Sequence, residues 1–448
     1  MKKITNKVLW LFAVGQFGWS LLAGIISNWM VYYYTDETNG IFGGHVTTTA
    51  IFLGLTLFGL ITAVGRVFDA ITDPLIASWS DRSSFKGGRR IPFMRAVAVP
   101  FAAITVLVFL LPQTANIRLN NTLLFVSLML FYLFMTIYCT PYNALIAELG
   151  DTEKNRINVS TYISLTYILG LSVAYLVPNL AGIFEASMGK AVSVRLAIGI
   201  MAAIAGIAML VPALCINERK YIKSSPVKTK AFKSLFKSFA NAQFRRFVYA
   251  DIIYFFAVTL FQTGLAFYIT NLMMEDEDKT FMLTVIMTVV SLCLYPAVNK
   301  LAPVLGKKKM IITGFFLYSI VFLLAALCGK GIIWGIMIAV VAGFPMAILG
   351  ILPQACVADI AEVDALETGE QRSGMFFAAR TFAFKMGQAL AMVVFTSVTV
   401  SKTQMSYRLT AVIATVCCLI GACLFFLYNE KKIVGTIREH HAALKTQE

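Results

Sequence analysis

VLWLFAVGQFGWSLLAGIISNWMVYYY, residues 8–34, contains no charged side chain. At about 1.5 Å per residue a helix of this length exceeds the ~30 Å hydrocarbon core of a bilayer. Lys2 and Lys3 precede it as they would a signal peptide. The run is too long for a signal sequence and lacks a small-residue cleavage site, so it reads as a retained first membrane helix. Similar runs recur to the C-terminus, and no stretch between them is large enough for a soluble domain. Of the 448 residues 58% are hydrophobic and 14% charged, against about 25% charged in an ordinary soluble domain. The mean hydropathy is +0.77. The eight Cys lie in or at the ends of apolar runs without CxxC spacing, which makes them packing residues rather than disulfides or metal ligands.

Apolar runs between charge clusters predict an all-α membrane protein with twelve transmembrane helices. The first six lie near 8–34, 47–79, 91–111, 122–147, 157–181 and 192–216, the second six near 247–272, 280–299, 310–328, 331–354, 374–400 and 408–428. The longest polar connection, 217–246, holds nine Lys and Arg and a single acid. It separates an N-terminal six-helix bundle (1–216) from a C-terminal one (247–428), followed by a tail (429–448). The termini and even-numbered connections carry 27 of the 38 Lys and Arg. By the positive-inside rule both termini are therefore cytoplasmic. This placement accounts for most of the +15 formal charge, so a nucleic-acid partner is not expected. An internal echo supports duplication: Pro141-Tyr142-Asn143-Ala144-Leu145-Ile146-Ala147-Glu148 resembles Pro353-Gln354-Ala355-Cys356-Val357-Ala358-Asp359, each at the end of the fourth helix of its half. Repeated halves around a central pathway are a transporter plan.

Ionisable groups inside spans cost several kcal/mol unless paired or wetted, and so point to function. The densest group is Gly65-Arg66-Val67-Phe68-Asp69-Ala70-Ile71-Thr72-Asp73-Pro74. Helical spacing puts Asp69 and Asp73 on one face, with Thr72 beside Asp73 and Arg66 one turn before Asp69. Two adjacent, poorly solvated carboxylates disfavour double ionisation, so they recruit a cation or share a proton. The other reading is that Arg66 neutralises Asp69 at a wet helix boundary. Lys385, too deep to reach an interface easily, calls for an acid on another helix, and Asp69 or Asp73 are the candidates. Arg380 is expected to pair with Asp359 or Glu362, or to receive an anionic group of a solute. Asp81, Arg82, Arg89 and Arg90 form a short charged turn suited to a latch between helix ends. Arg66, Asp359, Glu362 and Arg372 complete the candidate gating set.

These residues resemble the glycoside-pentoside-hexuronide:cation symporters of the major facilitator superfamily, which include the melibiose permeases. The resemblance rests on Tyr32-Tyr33-Tyr34-Thr35-Asp36, the run Asp69-Ala70-Ile71-Thr72-Asp73-Pro74, Pro141 with its acidic loop, and Ala358-Asp359 followed by Arg372 and Lys385. It implies the major facilitator fold, two pseudo-symmetric six-helix bundles, and symport by alternating access. It also implies a cation site of Asp69, Thr72, Asp73 and Thr136, with Lys385 nearby. Four positions depart from the melibiose-type pattern: Ser20 and Cys139 stand where acids are expected, Ser164 for an arginine and Gly350 for a tryptophan. Melibiose itself is therefore not the expected solute, and Thr72 in place of an amide leaves Na+ and H+ both open.

Candidate solute contacts are the polar and aromatic residues of apolar helices: Gln16, Trp19, Asn28, Tyr32, Tyr138, Asn143, Tyr162, Gln262, Arg380, Thr381 and Gln388. Aromatic faces and amide donors suit a sugar; packing or interfacial anchoring is the competing use of each. The expected function is cation-coupled import of a sugar or glycoside, a hexuronide if Arg380 faces the solute. Transport of a lysolipid or organic anion, or a non-transporting sensor, are the alternatives. The three His, at 45, 440 and 441, offer no ligand spacing, and no nucleophile–base set is present. Neither an enzyme, a cofactor nor a metal beyond Na+ is expected. The setting is the bilayer of a bacterial inner membrane, the partner a small-molecule solute, and the acting form a monomer.

Overall fold

The computed structural model describes residues 4–36, 41–42, 44–52, 55–83, 85, 87–110, 116–149, 153–221, 237–368 and 373–445. The first half of the chain contains α1 (Asn6–Thr35), α2 (Leu57–Arg82), α3 (Ile91–Phe109), α4 (Ile117–Leu149), α5 (Glu153–Ala174), α6 (Val177–Met188), α7 (Lys190–Cys215) and the single turn α8 (Glu218–Tyr221). The second contains α9 (Ala242–Phe267), prolonged by a π-turn at Tyr268–Leu272, then α10 (Lys279–Leu305), α11 (Lys307–Leu327), α12 (Ile332–Thr368), α13 (Ser373–Val398), α14 (Gln404–Phe425) and α15 (Glu430–Lys445). Among the described residues eleven helical spans are long and apolar enough to cross a membrane. The 26-residue α2 is not among them. Its charges set it apart rather than its length: Arg66, Asp69 and Asp73 interrupt it, and Asp81 and Arg82 end it.

Several boundaries differ from the sequence reading for local reasons. The expected second helix at 47–79 begins ten residues late, because β1 (Ala50–Phe52) and β2 (Leu55–Thr56) pair as a hairpin. Thr56 then caps α2, its hydroxyl accepting the Gly59 N–H at 3.0 Å, a favourable N-cap. The fifth run, 157–181, is two helices broken at Tyr175–Leu176, where Pro178 takes a first-turn position of α6. The tenth run extends to Thr368, which places Asp359 and Glu362 on a helix rather than in a loop. The tail at 429–448 carries α15.

The chain divides into two compact units, residues 1–230 with 276–282, and residues 231–275 with 283–448. In the first, α1 packs along α5 and α7, α3 packs on α4 and α7, and α2 lies against α4. In the second, α9 packs along α13 and α14, and α11 along α12 and α14. The central α1 is apolar all round and largely buried, as a helix surrounded by others must be. Its contact with α5 depends on Gly170, where a Cβ would lie 2.0 Å from Ser20 Oγ and 2.6 Å from Phe17 O. Small residues at such crossings let backbones touch. Gly170→Val should therefore destabilise the first unit by about 1–3 kcal/mol through overpacking. A melting curve of the purified variant checks this, and an unchanged Tm would contradict it.

Candidate functional site

The charged face of α2 meets a row of threonines on α4. Asp69 is fully buried, and Thr136 Oγ1 donates to its Oδ1 at 2.9 Å. Thr72 Oγ1 lies 3.3 Å from Thr136 Oγ1 and donates to the Phe68 and Asp69 carbonyls at 3.0 and 3.1 Å. One turn along both helices, Thr140 Oγ1 donates to Asp73 Oδ1 at 3.3 Å. Residues at i and i+4 share a helix face, so the i, i+4 acids of α2 and the i, i+4 threonines of α4 form two successive rungs. A threonine that donates its proton to a carboxylate keeps the acceptor lone pairs of its oxygen. The rungs thus gather carboxylate, hydroxyl and carbonyl oxygens, the donor set of a hard cation. Among the described residues no group of three or more His, Cys, Asp or Glu could hold a metal ion. Sequence reasoning named Asp69, Thr72, Asp73 and Thr136 but missed Thr140, whose signal is its four-residue spacing from Thr136.

Beside the rungs, Arg66 Nη2 donates to Ser27 Oγ of α1 at 3.0 Å, and its guanidinium lies over the Tyr132 ring, 5.4 Å from the centroid. Asn28, the next residue on α1, is buried, and its Nδ2 makes no hydrogen bond within the protein. Trp19 donates its indole N–H to the buried Gln16 at 3.2 Å. Tyr162 stacks on Trp10 with centroids 4.2 Å apart. Asn143 and Gln262 are exposed on their helices and Gln388 is half-buried. Tyr32 is buried entirely. Tyr138 of the solute list has a packing role in this conformation. It is fully buried, and its hydroxyl donates to Met209 O at 2.9 Å, locking α4 to α7. Thr381 likewise donates to Phe377 O of its own helix. In the first unit Lys190 pairs with Glu277 at 3.3 Å; burial pushes the Glu277 carboxyl up, with Lys190 pulling the other way.

In the second unit the expected partners of Arg380 are wrong. Its Nε and Nη2 donate to Asp251 Oδ2 and Oδ1 at 2.8 and 3.0 Å, and the rings of Phe247 and Phe255 cover the guanidinium. Both side chains are buried. Asp359 instead accepts from Lys307 Nζ at 2.5 Å, and Glu362 is exposed. Lys385 is half-buried on α13. Asp251 was legible as an acid inside an apolar run, but a count of Lys and Arg passes over it. In the predicted charged turn, Arg89 and Arg90 are buried, Arg82 is exposed, and the side chain of Asp81 lies outside the described residues. Arg372 also lies outside them.

The profile of the family described as MFS/sugar transport protein matches residues 11–430. The chain belongs to that family. Within it, the chain falls among the glycoside-pentoside-hexuronide symporters. It is 26% identical over 399 residues to the symporter YnaJ of Bacillus subtilis (strain 168), covering 88% of this chain and 82% of the relative. The isoprimeverose transporter of Lactiplantibacillus pentosus is 22% identical over 340 residues, 72% of this chain and 63% of that one. In fold the chain is similar to a solved bacterial homologue of the human drug peptide transporters PepT1 and PepT2. The TM-score is 0.68 at 11% identity, covering 97% of this chain and 100% of the other. This symporter is thus a multi-pass, all-helical membrane protein of the major facilitator superfamily, a cation-coupled carrier of a small solute rather than an enzyme.

Proposed function

We propose that the protein is a symporter that couples the entry of a neutral sugar or glycoside to Na+, with the ion held by Asp69, Thr72, Asp73, Thr136 and Thr140. The observation that carries this reading is the pair of carboxylate–threonine rungs between α2 and α4. A proton needs one carboxylate. Na+ needs several oxygens around it, and here each acid has a hydroxyl against it, which favours the metal ion over H+. The preference for a neutral solute follows from Arg380, the residue on which a hexuronide or other anion would have relied. Its two donor groups are spent on Asp251, and separating a buried pair of this kind is costly. The isoprimeverose transporter among the relatives supports a glycoside. The Lys and Arg distribution supports cytoplasmic termini, α2 as a twelfth span, and the cytoplasmic membrane as the location.

Ligands that bind the folded state raise its melting temperature by mass action. In detergent, Na+ should raise the Tm at constant ionic strength with choline as the replacing cation. A mixture of isoprimeverose and neutral β-glycosides should raise it further only when Na+ is present. Stabilisation by the glycosides to the same extent in choline, or by lysophosphatidylcholine alone, would overturn the reading. Thr136→Val removes a charge-assisted hydrogen bond of about 1.5 kcal/mol or more. It should shift the midpoint of the Na+ titration upward about tenfold.

A further inference from the structure

The residues that follow the last long helix of each half share a pattern: Asn217-Glu218-Arg219-Lys220 after α7, and Asn429-Glu430-Lys431-Lys432 after α14. The residues that open the third long helix of each half share another, Gly88-Arg89-Arg90 before α3 and Gly306-Lys307-Lys308 at α11. Each glutamate binds its own half's opening. Glu218, buried, accepts the Arg90 and Ile91 N–H groups through Oε2 at 2.8 and 3.1 Å. Glu430 accepts the Lys307 and Lys308 N–H groups through Oε1 and Oε2 at 2.7 and 3.0 Å. The geometry extends to the preceding glycines. Gly88 and Gly306 have φ of +120° and +88°, and a Cβ would lie 2.4 Å and 2.9 Å from the respective glutamate oxygens. A cation adds a second tie in each half, from the segment after α7 in the first, Arg219 Nη2 to Phe85 O at 3.2 Å, and from the opening of α11 in the second, Lys308 Nζ to Phe426 O at 2.7 Å.

A carboxylate on two first-turn N–H groups satisfies donors that the helix cannot and complements its dipole. The same arrangement built twice, in separate units, from matching sequence segments, is a duplicated device rather than an accident of one loop. We propose that Glu218 and Glu430 are equivalent clasps that make the start of α3 and the segment after α7, and likewise the start of α11 and the helix α15, open and close as single cooperative elements. In a carrier whose halves swing, such clasps keep the ends of each half from fraying separately. Ile433 and Tyr428, both buried, hold α15 to the second unit on either side of Glu430. The proposal rests on the chain being a carrier and not on which solute it carries.

The test is amide hydrogen exchange by mass spectrometry on the full chain in lipid nanodiscs without solute. Glu218→Gln should speed exchange about tenfold both at 90–94 and at 218–221, with the centre of α4 unchanged. Glu430→Gln should do the same at 307–311 and at 430–437. Tenfold is the lower end of what a charge-assisted bond is worth. Gly88→Ala and Gly306→Ala should reproduce each pattern, and removal of residues 430–448 should reproduce the effect at 307–311 without touching 90–94. Faster exchange at one member of a pair only, or at neither, overturns the proposal. Faster exchange throughout α4 as well would mean that the glutamates stabilise the whole unit, and overturns it too.

Discussion

Asp69→Asn abolishes concentrative uptake while leaving downhill exchange of solute in place. Asp69 is completely buried, with its Oδ1 fixed by Thr136, and the amide keeps the shape of the acid while removing its charge. Truncating a close, desolvated charge pair costs at least about 2–5 kcal/mol. The ion would then bind some hundredfold more weakly or worse, and an ion that is not bound cannot be carried with the solute. The solute contacts are untouched, so equilibration across the membrane continues. Comparing gradient-driven accumulation with counterflow in the same proteoliposomes checks both halves of the expectation. Wild-type accumulation by the variant would remove Asp69 from the coupling site.

The second large effect belongs to Asp251. Asp251→Asn leaves the Arg380 guanidinium charged, buried and without its carboxylate, and breaking a buried pair from one side costs about 3–5 kcal/mol. The variant should melt well below the parent and give little folded protein. Replacing both partners with apolar residues of similar size, Asp251→Leu with Arg380→Met, removes the desolvation cost along with the attraction. It should recover most of the lost stability. Transport distinguishes a structural pin from a solute contact: the double variant should retain uptake of a neutral glycoside. A stable double variant that binds nothing would place Arg380 in the solute site.

The acid-bearing face of α2 was legible because polar groups inside apolar runs have few uses, and the i, i+4 spacing of Asp69 and Asp73 puts them on one helix face. Thr140 was not, because a threonine in a membrane helix most often bonds its own backbone, as Thr105, Thr166 and Thr381 do. Arg380 was assigned to Asp359 or Glu362 by proximity in sequence, whereas Asp251 reaches it from α9, 129 positions away. Long-range pairing of this kind is set by helix packing, which hydropathy does not encode. Helix ends showed the same limit. Pro178 and the Thr56 cap shortened two runs for reasons of local backbone chemistry that an apolar window averages away. The repeated Asn-Glu tetrapeptides were readable in principle, but they lie in polar segments where charge has a topogenic explanation already.

The central claim is that Na+ bound at the α2–α4 rungs drives entry of a neutral glycoside. It is tested most directly by uptake of a labelled mixture of isoprimeverose and neutral β-glycosides into proteoliposomes, under an inward Na+ gradient, an inward H+ gradient, or neither. Accumulation above the external concentration under the Na+ gradient alone is the predicted result. Accumulation that follows the H+ gradient instead, or uptake that never exceeds equilibrium under either, would contradict it.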